Sequence, residues 1–527
     1  MDSKIHDVLI IGAGPCGLVV AARLCEHTPS AVFTDEEHQR YHWILKHGHQ
    51  TSIKSKKTGT VYPPRQSPAG RSYSALVLDS TRDEWMTRGN RLFKTFEIEH
   101  LRSPMFFYVD PGDRDGLLAN AHEEGREGEL SEIRECVGKE VSKHLRKKRM
   151  KFERRGELHL WSRAEVVIDE RDRNDYFTPS RGLFAEHCRC VIDRYGLREG
   201  LVRQESVQDV GFREVENVAG ESERIFTLET NKGIHYARSV VLAVGPGNAP
   251  AIPGLSASER TDGACQSMQI QRFPGPSVQS KIKAKRVTNV MVIGGGVTSA
   301  QLVDLAVRRG VTKVWHVMRG PLKVKPFDVD LVWMGKFRNI EQAYFWYANS
   351  DNERLAHLAT ARNGGSVTPR ALKAMKAHIA AHRASLYSFT TIQSKTWNPE
   401  SHTWTVTTSP QIPDLPPFDY IYFATGIATD ISTLPFLGIL HREFLIKTKD
   451  DVPLLGRLAG LRLGPGAGNL AGARVGAERV VWGIEDVLGK STNGVKYGKW
   501  DWQFDYASGR GNRFDSLTGE DCRESKE

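Results

Sequence analysis

The 527-residue sequence predicts an α/β protein of two parallel-sheet domains built on one plan, the second inserted into the first. Three observations predict it. A short β-branched run enters a glycine turn and then an apolar helix at His6–Leu24, and the same grammar returns at Asn289–Arg308. Each unit has a matching later strand that ends on glycine, at Gly245 and at Gly426. The chain is also too long for one compact core, so two or three domains are expected.

The elements follow in order. His6-Asp-Val-Leu-Ile-Ile11 reads as a buried parallel strand. Gly12-Ala-Gly14-Pro-Cys-Gly17 is the turn, Leu18 to Leu24 the helix, and Ala31-Val-Phe-Thr34 a second strand ending at Asp35. Residues 80–150 are polar and mixed, with helices and loops around Leu101-Arg-Ser-Pro104. Ile225–Thr230 and Ile234–Arg238 flank Asn231-Lys-Gly233 as a hairpin, and Ser239 to Gly245 is a further buried strand. The second copy has strand Asn289–Ile293, turn Gly294-Gly-Gly296-Val-Thr-Ser299, helix Ala300–Arg308 and strand Lys313–Met318. Asp419–Gly426 mirrors the strand ending at Gly245, so the chain carries an internal duplication. The expected boundaries are 1–285 for the first fold and 286–430 for the second, with a helical insertion at 327–385. The first fold returns over 431–490, and 491–527 is a polar tail. Within the insertion, Tyr344-Phe-Trp-Tyr347 is read as local core packing in preference to a substrate pocket. In the tail, Trp500, Trp502, Phe504 and Tyr506 alternate, as in an extended segment docked on one face, with disorder expected beyond Ser508.

Composition narrows the classes. With 39% hydrophobic and 26% charged residues, the chain is not wholly disordered. A net charge of +10 invites a nucleic-acid partner. Much of the excess lies in Lys139–Arg155, which reads as a solvated helix face with no aromatic stacking platform, so no nucleic acid is expected. No apolar run reaches the roughly 18 residues that span a bilayer, and Met1–Ile11 lacks a signal-peptide layout. The seven cysteines are scattered and contain no C-x-x-C pair, so neither a disulfide framework nor a metal site is expected, and the cytoplasm is the default location.

The chemistry of the glycine turns is geometric. Gly12 permits the tight turn, Gly14 lets a pyrophosphate approach the backbone, and Gly17 lets helix and strand pack closely. The helix N-terminus then offers free N–H groups to the phosphates. Asp35, with Glu36 and Glu37 as neighbouring rivals, stands where a carboxylate accepts ribose hydroxyls. In the second copy, Gly294, Gly296 and Ser299 take the three turn positions, and Arg319 follows the next strand with Lys323 and Lys325 behind it. Arginine there pairs with a 2′-phosphate, which favours NADPH over NADH; the alternative is a set of solvated cations. Near the C-terminus, Gly464-Pro-Gly466-Ala-Gly468-Asn469 feeds an apolar helix whose N-terminus, under a flavin, would stabilise negative charge on the reduced ring. The alternative is a Gly-capped surface helix.

Two such folds, the strand end Ala424-Thr-Gly426 and the C-terminal glycine-loop helix resemble the two-dinucleotide-binding-domain flavoproteins. The chain is most similar to the flavin-dependent N-hydroxylating monooxygenases, such as the ornithine and lysine hydroxylases, over most of Ile5 to Leu488. The resemblance implies two Rossmann-like domains, FAD on the first and NADPH on the second, with O2 as the oxygen source. Disulfide reductases of this superfamily need a redox cysteine pair that is missing here. A histidine-containing stretch of related monooxygenases is reduced to Gly263-Ala-Cys-Gln266-Ser267. Ile427 stands where tyrosine often follows the Ala-Thr-Gly element, and Leu455-Gly456-Arg457 replaces a Gly-Asp flavin contact. The expected function is therefore an FAD- and NADPH-dependent monooxygenase acting on a small nucleophilic substrate, most readily an amine nitrogen. The cofactor carries the chemistry, so no catalytic side chain is assigned. Gly426, Gly466 and Asn469 are expected at the flavin, and Arg102 at the flavin or NADP, with a surface salt bridge as its alternative. An oxidase that never transfers oxygen, and a degenerate nucleotide-binding protein, are the other readings. Self-association into a homo-oligomer is left open.

Overall fold

The computed structural model describes residues 4–26, 38–40, 43, 47, 52–54, 59, 61–62, 73–133, 136, 150–151, 154–156, 175–198, 200–216, 222–245, 252, 263–334, 338–427, 431, 434–438 and 456–488. The expected strand Ala31–Thr34 with Asp35, Glu36 and Glu37, most of the basic run 139–155, and the aromatic tail lie outside the described residues.

β1 (Ile5–Ile11) runs into α1 (Pro15–Cys25), and β2 (Ile53–Lys54) pairs with β3 (Val61–Tyr62) as a separate ribbon. β4 (Ala75–Asp79) returns parallel beside β1. Then come α2 (Thr87–Thr95), α3 (Gly116–Glu123), the antiparallel pair β5 (Leu130–Glu132) and β6 (Phe177–Pro179), and α4 (Arg181–Arg194). β7 (Val202–Gln204), β8 (Val207–Glu216), β9 (Ser222–Thr230) and β10 (Gly233–Leu242) complete a six-stranded sheet of order β7-β4-β1-β10-β9-β8. β1 is buried on both faces, as a central parallel strand must be. Val8 and Ile10 join the core under α1, whereas Leu9 and Ile11 join the core on the opposite face. The expected hairpin is present, with Gly233 opposite Thr230. Its second strand does not stop at Arg238: β10 continues without a break, antiparallel to β9 and then parallel to β1.

The second sheet is wholly parallel. β11 (Ala264–Gln266), α5 (Pro276–Lys283), β12 (Asn289–Ile293), α6 (Val297–Arg308) and β13 (Lys313–Val317) lead to α7 (Arg338–Tyr347), α8 (Asp351–Arg362) and α9 (Pro369–Ala380). β14 (Ala384–Tyr387), an antiparallel ribbon of β15 (Thr391–Asn398) and β16 (Thr403–Ser409), and β17 (Tyr420–Phe423) follow. The strand order is β11-β17-β12-β13-β14. Two expected boundaries shift. β11 pairs with β17, so the second fold begins before residue 286. β14 pairs with β13, so α9 is a crossover helix of the sheet and the inserted excursion is essentially α7 and α8. The chain then returns through α10 (Gly460–Leu463) to α11 (Leu470–Val487), which packs along α1 in the first fold.

Candidate functional site

The first glycine turn is tight where it packs and open where it faces outward. Gly12 has φ +113°, and a Cβ there would stand 2.5 Å from the carbonyl oxygen of Ala243. A Cβ on Gly17 would stand 2.0 Å from the carbonyl oxygen of Gly12, yet one on Gly14 would meet nothing within 4 Å. That clearance, at the N-cap of α1, leaves room for a pyrophosphate at the backbone and the positive helix end. α11 runs in the same sense as α1. Glu478 pairs with Arg23, and Glu485 near the end of α11 lies 3.4 Å from Tyr73 Oη, just before β4 begins. Both helices therefore start at the carboxyl edge of the sheet. In the first turns of α11, Arg474 is buried with its guanidinium 3.6 Å over the Tyr108 ring. Its Nε and one terminal nitrogen have no hydrogen-bond partner among the described residues, and burial lowers its pKa. Asn469 Oδ1 accepts from Gly472 N at 3.1 Å and caps the helix, while its buried Nδ2 also has no partner. Spare buried donors beside a positive helix end fit an electron-rich ring and its phosphates, so these residues suit FAD.

The acid beside this turn is one the motif spacing missed. Asp79 ends β4, the strand next to β1, and its Oδ2 accepts from Ala13 N at 2.9 Å inside the glycine turn. Its Oδ1 accepts from Thr81 N at 2.8 Å. The signal was present: Ala75-Leu-Val-Leu-Asp79 is an apolar run closed by an acid, the same pattern that singled out Asp35.

The second turn repeats the first. Gly294 has φ +149°, and a Cβ there would stand 2.4 Å from the carbonyl oxygen of Ala424. Ser299 is buried and donates its hydroxyl to the carbonyl of Gly296 at 2.6 Å, so it packs the turn instead of facing a phosphate. His316 on β13 reaches the Gly294 carbonyl through Nε2 at 2.7 Å. Burial lowers its pKa to about 4, so the ring is neutral and Nε2–H donates. Arg319 is exposed just past β13, with no ion pair among the described residues. Lys323 is engaged: its Nζ donates to the main-chain and side-chain oxygens of Asn363 at 2.5 and 2.6 Å. Lys325 pairs with Asp330 at 2.7 Å. Of the three cations, Arg319 alone is exposed without an ion pair among the described residues, and a free guanidinium beside this glycine turn suits the 2′-phosphate of NADPH.

Arg102 contacts neither cofactor turn and is not a surface salt bridge. From the first fold it donates to the carbonyls of Lys325 and Pro326, both at 3.1 Å, to that of Phe327, and to Ser366 Oγ at 2.8 Å. Gly426 has φ +84°, and its carbonyl accepts from Gln266 Nε2 at 3.2 Å, which joins the ends of β11 and β17. Gly466 lies in the 3-10 turn just before Asn469 and α11. The aromatic cluster divides: Phe345 is core against Trp333 and Gly464, whereas Tyr344 and Tyr347 are exposed. Burial pushes the Cys16 and Cys265 thiols up to about 11, far from a reactive thiolate. Among the described residues there is no metal-binding group of side chains, and no helix is long and apolar enough to cross a membrane.

Two sheets, each carrying a glycine turn at the carboxyl end of a central strand and the second set within the first, make a two-dinucleotide-binding-domain fold. Residues 173–426 match the family model described as L-lysine 6-monooxygenase/L-ornithine 5-monooxygenase, and the chain is similar to these N-hydroxylating enzymes. The solved structure of ornithine hydroxylase from Pseudomonas aeruginosa matches with a TM-score of 0.58 at 14% identity, over 92% of this chain and 100% of that one. The ornithine N-hydroxylase of Kutzneria sp. 744, solved with reduced FAD, NADP+ and L-ornithine, matches with a TM-score of 0.52 at 15% identity, over 92% and 99%. The cadaverine monooxygenase of Erwinia amylovora, bound to FAD, gives 0.52 at 13% identity, over 92% and 95%. At such identities the likeness carries the fold. No curated relative matches the chain significantly.

Proposed function

We propose that the protein is an FAD- and NADPH-dependent monooxygenase that inserts one oxygen atom from O2 into a small amine. The observation that carries this reading is the family match, which runs from before α4 to Gly426 and so takes in the whole second fold. Bound FAD would accept hydride from NADPH and activate O2. The chain's own residues bind and orient. Gly14 and the α1 N-terminus take the flavin pyrophosphate, with Asp79 or Asp35 on the ribose. The α11 N-terminus with Asn469 and Arg474 faces the electron-rich ring, and Arg319 holds the 2′-phosphate of NADPH. The amine must be neutral to offer its lone pair, so turnover rises with pH as the ammonium form, with a pKa near 10, is depleted. A cytoplasmic location belongs to the proposal, because it supplies NADPH and keeps the free cysteines reduced.

The test is a screen of ornithine, lysine and cadaverine for stimulated NADPH oxidation by the purified yellow protein. At least one amine should give hydroxylated product in step with NADPH consumed. Stoichiometric peroxide with every amine would instead make the protein an oxidase, the runner-up reading.

A further inference from the structure

The loop Asn363–Ser366, which closes the α7–α8 excursion, lies directly on the second glycine turn. A Cβ on Gly365 would stand 2.9 Å from Gly296 N and 3.0 Å from both the carbonyl carbon and oxygen of Gly295. Reciprocally, the nearest atom to a Cβ on Gly296 would be the Cα of Gly365, at 4.0 Å. Backbone meets backbone here, which only glycine permits. The loop is tied down on both sides. Asn363 ends α8 in the left-handed conformation, φ +48°, and both its oxygens accept from Lys323. Val367 N donates to Lys323 O, and Lys325 N donates to Val367 O, each at 2.9 Å. Arg102 reaches across from the first fold to Ser366. Between these ties Gly364 and Gly365 are exposed. No hydrogen bond is recorded for the main-chain N–H groups of Gly364, Gly365 and Ser366 among the described residues. Successive unengaged N–H groups in a loop are a chemistry that suits anions.

We infer that the 363–366 loop is a wall of the pyrophosphate site on the second turn and that Gly365 is a positioning residue for the nicotinamide nucleotide. The inference rests on the proposed use of NADPH. The loop belongs to the excursion, outside the βαβ unit that holds the glycine motif, so the site is built from two separate parts of the second fold. Arg102 links that wall to the flavin-binding fold. A methyl group at 365 must push the loop off the turn, because its nearest neighbours are backbone atoms.

The experiment is calorimetric titration of the purified holoenzyme with NADP+, for the wild type, Gly365→Ala and Asn363→Gly. Asn363→Gly keeps the left-handed backbone and removes only the side-chain oxygen that Lys323 binds. Gly365→Ala should weaken NADP+ binding about tenfold or more, and Asn363→Gly by a smaller factor. Flavin content should stay at the wild-type level, and the rate of flavin reduction at saturating NADPH should remain within about twofold. If Gly365→Ala fails to fold, weakened binding in Asn363→Gly supports the wall and unchanged binding overturns it. Unchanged or tighter NADP+ binding in a folded Gly365→Ala overturns the inference while leaving NADPH use intact. A wild-type protein that binds no NADP+ overturns both.

Discussion

Arg23 in α1 and Glu478 in α11 form an ion pair sealed inside the first fold, with side chains 2% and 1% exposed and 455 positions apart in the chain. A lone charge left at such a depth is costly. Glu478→Ala should therefore lower stability by about 3–5 kcal/mol, read as a reduced denaturant midpoint. The double change Arg23→Met with Glu478→Leu should recover most of the loss, since apolar replacement of a buried pair is often neutral. A double variant no more stable than the single one would show that the pair does more than satisfy its own charges.

Gly14 and Gly17 separate cofactor binding from folding. Gly14→Val places a side chain in the clear space above α1, so it should fold near the wild-type melting temperature with little bound flavin. Gly17→Ala drives a Cβ against the Gly12 carbonyl and should instead lower the melting temperature. Flavin absorbance per mole of protein, measured beside thermal melts, checks both; full flavin in Gly14→Val would move the flavin elsewhere.

Arg319→Ala should cost about 1.5–3 kcal/mol of NADPH binding, or roughly tenfold to a hundredfold, by removing a charged phosphate contact. The KM for NADH should barely change. Equal shifts for both nucleotides would show that Arg319 does not read the phosphate.

His187 and His316 give the stability a pH dependence. Burial lowers each to about 4, against about 6.5 in the unfolded chain. The unfolded chain therefore takes up protons first on acidification. The stability these rings contribute is complete above pH 6.5 and is lost as pH falls toward 4, a few kcal/mol in total. Urea midpoints from pH 7 to pH 4.5 should fall steadily, and His316→Gln should flatten the slope.

The repeated grammar was legible in the sequence because it is local: a buried strand, a glycine turn and a helix lie within about 20 residues of each other. Gly12 and Gly294 keep that promise in the same way, each pressed on the carbonyl that ends the neighbouring strand. What was not legible depends on distant parts of the chain. Asp79 closes a legible apolar run, but its contact with Ala13 exists only because β4 lies beside β1, and no spacing rule counts that far. Ser299 holds the third turn position, where helix and strand pack, and its hydroxyl donates to the Gly296 carbonyl within its own turn. Arg102 sits in a loop whose partners come more than 220 residues later, so its four-carbonyl and hydroxyl contacts had no local signature. The edge of the second fold was misplaced for a related reason: β11 has three residues, and only its pairing with β17 makes it a strand of that sheet.

The parallel packing of α11 on α1 also sets a timetable for the growing chain. At roughly 5–20 residues per second, the ribosome needs about 25–90 s after making Arg23 to deliver Glu478. Throughout that interval α1 offers its apolar face, including Val19 and Val20, and an unpaired Arg23 to whatever is near. The inserted second fold has the five strands of its sheet by residue 423 and is free to fold meanwhile, while the first fold waits for α11. Cellular yield should therefore depend on holdase chaperones more than the stability of the finished protein suggests, and a premature stop before Leu470 should release a chain with one finished domain and one open one.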